Sequence, residues 1–181
     1  MNSVLRRHPV FKTVMIGEGG VGKTSITVRY TENRFDENMM ITIGANFVSK
    51  KVEINGSPLT LMIWDLGGQP RFREVVVDYF RGSRYAIAVY DATRVYSLER
   101  LPDWIDRLRE SAPNCELLFV GNKTDARANG SGVPFEEGIA FAEKYDALCI
   151  EVSAKTGAGI DDMFELVAQK LIQKYPEMLE V

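Results

Sequence analysis

The chain has 181 residues, of which 45% are hydrophobic and 26% charged, with a formal net charge of −3. That length suits a single domain with a sizeable core, and the composition excludes fibrous and low-complexity classes. The mild acidity argues against whole-protein attraction to nucleic acid or anionic lipid, and a lone histidine, His8, removes histidine catalysis and most zinc chemistry.

Residues 1–9 read as a flexible leader, 10–175 as the domain and 176–181 as a tail. The leader "MNSVLRRHPV" lacks an apolar signal core, Asn2 stands where acylation needs glycine, and Arg6 and Arg7 are too few for a membrane patch. The tail "KYPEMLEV" offers no cysteine to prenylate. The expected location is cytoplasmic, with peripheral membrane association only through partners or through a tail absent from the sequence as written. Cys115 and Cys149 adjoin apolar runs and read as reduced core or strand-end thiols.

In chain order, "VFKTVMIG" is a β-branched run closed by glycine, hence a strand, and residues 24–30 begin a helix. "ANFVSKKVEI" and "LTLMIWDL" form a hairpin about the tight-turn pair Asn55-Gly56. "YAIAVYDAT", "ELLFVGNKTD" and "ALCIEVSAKT" are three further strands, each closed by polar residues. Helices are predicted over 70–81, 97–111, 135–145 and 160–174; Leu98, Leu101, Ile105 and Leu108 supply the apolar spacing of the second. The alternation predicts an α/β fold: six strands in a mostly parallel sheet, one antiparallel edge strand and about five helices in three layers. Such sheets bind ligands at the carboxyl ends of their strands, so the polar closures should converge.

"GEGGVGKT" fits the phosphate-loop spacing through Gly17, Gly22, Lys23 and Thr24. Glycine lets the backbone wrap a phosphate so that several N–H groups face it, and the following helix adds its positive end. Lys23 would reach the β- and γ-phosphates, and the Thr24 hydroxyl would ligate Mg²⁺. In "WDLGGQ", Asp65 would hold Mg²⁺ through a water, Gly68 would offer its N–H to a γ-phosphate, and Gln69 would orient a water for attack. A lone Asp-x-x-Gly is weak, but it gains force downstream of a complete phosphate loop. In "GNKTD", the Asp125 carboxylate matches the paired donors of guanine, which adenine lacks, while Asn122 and Lys123 brace the loop. Ser153, Ala154 and Lys155 would close the base pocket, the Ala154 N–H serving as donor to guanine O6.

Together these segments resemble the small GTPases of the Ras superfamily over roughly residues 10–174. "TIGANF", "DYFRG" and "SLERLPDWI" resemble Rab proteins, whereas "WDLGGQPRFR", with Gly67 and Pro70, resembles the Arf-like branch. The resemblance implies nucleotide contacts from Glu18, Gly19, Gly20, Val21 and Ser25 as well as the residues above, with Phe35 edge-on to guanine. It implies that Thr42 binds Mg²⁺ and senses the γ-phosphate, and that Lys23, Thr42 and Gln69 carry the catalysis. Segments 36–47 and 66–81 would be the two switches, relaxing after hydrolysis of GTP to GDP. Phe47, Trp64 and Tyr79 would form an effector-contacting aromatic triad. An exchange factor, a GTPase-activating protein and effectors are the implied partners of a monomeric switch. Arg71, Arg73 and Arg81 read as surface charge, so hydrolysis is expected to be slow without a partner's arginine. Met39, where many relatives carry tyrosine, suggests a looser lid. A GTP-loaded scaffold with negligible hydrolysis is the alternative, disfavoured by intact Gly19, Thr42 and Gln69. A P-loop kinase would need an arginine-rich lid and would have no use for "NKTD" and "SAK".

Overall fold

A computed structural model of the chain describes residues 8–69, 71 and 76–179. The strands are β1 (Val10–Ile16), β2 (Ala45–Ile54), β3 (Ser57–Leu66), β4 (Tyr85–Asp91), β5 (Glu116–Asn122) and β6 (Leu148–Glu151). The helices are α1 (Lys23–Glu32), α2 (Val77–Phe80), α3 (Val95–Glu99), α4 (Leu101–Ser111), α5 (Phe135–Glu143) and α6 (Ile160–Lys174). One six-stranded sheet results, in the order β2-β3-β1-β4-β5-β6. Among the described residues only the β2–β3 pair is antiparallel, joined through the positive-φ pair Asn55 (51°) and Gly56 (79°). The fold class and the antiparallel edge strand agree with the expectation from sequence.

Period-2 alternation divides the core between the two faces of the sheet. On β4, Tyr85, Ile87 and Val89 join Phe11, Leu61 and the α6 residues Phe164 and Leu171. Ala86, Ala88 and Tyr90 face the other way, against Leu101, Trp104, Ile105 and Leu108 of α4. Burial on both faces explains why β4 and β5 read as continuous apolar runs.

The helix expected over 97–111 is instead two, broken at Arg100. Pro102 sits in the first turn of α4, where its missing N–H is no loss but its ring would clash with a continuing upstream helix. Of the helix predicted over 70–81, only Val77–Phe80 is α-helical among the described residues: the chain leaves the helix at Arg81, and residues 70 and 72–75 lie outside the described set. So do the leader's Arg6 and Arg7, Arg73 of the second switch, and the last two residues of the tail. Helix α6 begins and ends as the periodicity predicts. Among the described residues no helix is long and apolar enough to cross a membrane.

Strand β1 pairs with β3 on one side and β4 on the other, and the chain passes from β3 across β1 to β4, which places a crevice at the carboxyl end of β1.

Candidate functional site

At that crevice lies a cleft of 660 Å³, a size that suits a small organic ligand. Its walls come from segments far apart in sequence: Gly19, Gly20 and Gly22–Ser25; Phe35 and Met39–Thr42; Gly68 and Gln69; Asn122, Lys123 and Asp125; Ala154 and Lys155. Glu18, Val21, Asp65 and Ser153 lie behind these walls, all of them buried.

The loop after β1 turns on Gly17 and Gly22, with φ of 137° and 99°. Side chains cannot be added there: a Cβ would lie 2.2 Å from the Val89 carbonyl at Gly17 and 2.2 Å from Asn122 Nδ2 at Gly22. Lys23 opens α1 with its side chain folded back into the loop, where Nζ donates to the carbonyls of Gly17 (2.8 Å) and Glu18 (2.9 Å). Burial lowers its pKa to about 8, against the opposing pull of the Asp65 and Glu18 carboxylates. Gly68 packs directly on this arrangement, since a Cβ there would sit 2.5 Å from Lys23 Nζ. A cation thus sits at the floor of a glycine-lined cradle, as an anion site requires.

Three oxygen-bearing side chains meet beside it. The Thr24 hydroxyl donates to Asp65 Oδ2, and Thr42 Oγ1 lies 2.8 Å from Thr24 Oγ1 and 3.5 Å from Asp65 Oδ2. The second carboxylate oxygen, Asp65 Oδ1, is buried without a hydrogen-bond partner. Burial raises the Asp65 pKa, while Thr24, Lys23 and Thr42 pull it down. An orphaned buried acceptor among hard oxygen donors fits Mg²⁺, which prefers carboxylate, hydroxyl and water oxygens.

The far end of the cleft is braced by Asn122. Its Nδ2 donates to the Val21 carbonyl (2.9 Å) and its Oδ1 accepts the Ala154 N–H (3.1 Å), so one side chain links three segments. Lys123 Nζ donates to the Gly20 carbonyl at 2.6 Å. Ser153 Oγ donates to Asp125 Oδ1 at 2.6 Å and itself accepts the Thr156 N–H at 3.1 Å, which aims an exposed carboxylate into the pocket mouth. Lys155 pairs with Glu37 at 2.8 Å across that mouth.

On the outer surface of the hairpin, Phe47 and Trp64 are register partners with rings 5.1 Å apart, and Tyr79 lies 5.7 Å beyond Trp64. Phe47 is 63% exposed, and Met40, Ile41 and Ile43 extend the apolar surface toward the cleft.

The contacts of Asp91 and Trp104 are among those of the site that went unread in the sequence. Asp91, at the end of β4, gathers Arg94 and Lys123 behind the phosphate loop. The buried Trp104 donates its indole N–H to Glu18 Oε1 at 3.1 Å. For Asp91 a signal existed: an acidic residue closing a fully buried parallel strand at its ligand-binding end. Nothing local marks Trp104, because its partner lies 86 residues away.

The sequence matches the model of the Ras family over residues 12–173. It is 41% identical over 164 residues to the Ras-related protein Rab-18 of Lymnaea stagnalis, spanning 90% of this chain and 80% of that protein. It is similarly 39% identical over 164 residues to the Ras-related protein Rab-18-B of Danio rerio, spanning 90% and 79%. These relatives fall on the Rab side of the resemblance. They give the Arf-like reading no support, and Pro70, which helped prompt it, lies outside the described residues.

Proposed function

This chain belongs to the Ras family of small GTPases, and from that premise we propose that its cleft holds Mg²⁺ with GTP or GDP and aligns a water on Gln69 for in-line attack. The protein is a guanine-nucleotide switch that hydrolyses GTP. The observation that carries the residue assignments is the convergence of the four polar strand closures on one cleft with Lys23 at its floor.

In this reading the Gly19–Ser25 backbone and Lys23 bind the phosphates, and Lys23 exchanges a carbonyl contact for phosphate oxygens. Thr24 and Thr42 would hold the metal directly and Asp65 through a water. Bound there, Mg²⁺ would neutralise charge between the β- and γ-phosphates. Gln69 holds the attacking water with its amide, while Lys23 and the Gly68 N–H stabilise charge developing on the transferred phosphoryl group. Asp125 accepts the guanine N1–H and 2-amino hydrogens, Phe35 and Lys123 pack on the ring, and Ala154 shares its N–H between Asn122 and O6. Loss of the γ-phosphate releases Thr42 and Gly68, and with them segments 36–47 and 66–81.

The Rab-18 relatives extend the proposal to vesicle trafficking, with Phe47, Trp64 and Tyr79 as the effector contact. An exchange factor and a GTPase-activating protein would act on the same switches.

Displacement of a fluorescent GDP analogue tests the reading. Unlabelled GDP and GTP should compete and ATP should not, and chelation of Mg²⁺ should accelerate release. Equal competition by ATP would refute the base assignment, and indifference to chelator would refute the metal assignment.

A further inference from the structure

Each successive carbonyl of the phosphate loop from Gly17 to Val21 is held by a side chain. Lys23 Nζ holds Gly17 and Glu18; Arg94 Nη2 holds Gly19 (3.4 Å), Lys123 Nζ holds Gly20 (2.6 Å) and Asn122 Nδ2 holds Val21 (2.9 Å). A trans peptide carries its C=O and the next N–H on opposite sides, and no cis bond occurs among the described residues. Pinning the carbonyls of Gly19, Gly20 and Val21 therefore points the N–H groups of Gly20, Val21 and Gly22 the other way.

Two of those three holds share one anchor. Asp91 is 2% exposed, and its Oδ2 accepts from Arg94 Nε at 3.0 Å and from Lys123 Nζ at 2.9 Å. Its Oδ1 is occupied separately by Thr93, through the backbone N–H (2.9 Å) and the hydroxyl (2.6 Å). The carboxylate thus divides its work: one oxygen fixes the turn after β4, and the other gathers two cations that reach adjacent loop carbonyls. Neither Asp91 nor Arg94 lines the cleft.

We propose that Asp91 is a positioning residue for nucleotide retention, orienting through Arg94 and Lys123 the loop amides that face the phosphates. The proposal rests on the guanine-nucleotide reading above. Asp91 touches no ligand; it acts on how long the ligand stays. The Arg94 arm is the weaker one, since its contact is long and its side chain is 49% exposed.

The test is the dissociation rate of a preloaded fluorescent GDP analogue from the full chain and from Asp91→Asn, Arg94→Ala and the double variant. Asp91→Asn preserves the Thr93 contacts and removes the charge, and should release nucleotide about tenfold faster or more, as expected for losing charge-assisted hydrogen bonds. Arg94→Ala should accelerate release about threefold, in line with a half-exposed pair. The double variant should be no faster than Asp91→Asn, because Arg94 acts through Asp91. A rate within twofold of native for Asp91→Asn, with a lowered melting temperature, would overturn the proposal and leave Asp91 an anchor of the Thr93 turn. Strictly additive effects would overturn the shared anchor. Should Asp91→Asn fail to fold, Arg94→Ala decides: an unchanged rate overturns the proposal and a faster one supports it. A native protein that does not hold GDP at all would instead defeat the underlying functional reading.

Discussion

The side-chain amide of Asn122 donates to the Val21 carbonyl at 2.9 Å, and it does so from a position that a single methyl group at residue 22 would occupy. The "NKTD" segment and the phosphate loop are therefore built as one unit, and glycine at 22 is the condition for it. Gly22→Ala would put Cβ 2.2 Å from Asn122 Nδ2 at a φ of +99°, which L side chains rarely adopt. The expected cost is about 1–3 kcal/mol of stability, together with loss of nucleotide binding. Chemical denaturation and nucleotide titration of the variant measure both.

Gln69 stands against the loop: a Cβ at residue 19 would lie 3.5 Å from Gln69 Cγ. Gln69→Leu keeps the bulk and removes the amide that orients water, so single-turnover GTP hydrolysis should slow by at least about tenfold with GTP affinity retained. Gly19→Val should slow the same step by crowding Gln69. Native turnover in the first variant would remove Gln69 from the chemistry.

Asp125 is held by Ser153 Oγ at 2.6 Å, so its free oxygen has a defined direction. Asp125→Asn presents a donor where guanine also presents one. GTP should bind about ten- to a hundredfold more weakly, and xanthine nucleotides, with an acceptor at that edge, should gain. Competition between the two nucleotides reads this out directly.

Lys23 gives the site a pH dependence. Burial holds its pKa near 8 without ligand, and phosphate beside it favours the ammonium form, raising the value on binding. Affinity should be constant below pH 8 and fall as pH rises through and above it, by up to about tenfold per unit. Calorimetry in buffers of different ionisation enthalpy should accordingly show proton uptake on binding at pH 8.5 and little at pH 7.

Much of this was legible in the sequence. The phosphate loop, Asp65, Gln69, Asn122 and Asp125 stand at the polar ends of apolar strands, and parallel sheets gather those ends. The α4 and α6 boundaries show the two outcomes of reading periodicity. Helix α6 carries uninterrupted helical spacing and was placed correctly, whereas Pro102 breaks the earlier stretch although its apolar spacing continues across Arg100. What stayed hidden was long-range and polar. Trp104 looks like any core aromatic until Glu18 is found beneath it, and the reach of Arg94 to Gly19 depends on how the turn after β4 folds.

The most direct test of the central claim is to denature the purified protein, identify the nucleotide it releases, and time a single turnover of GTP with Mg²⁺. Released GDP or GTP, with slow conversion of GTP to GDP and phosphate, is the expected result. Released adenine nucleotide, or a site that neither retains guanine nucleotide nor turns it over, would contradict the account.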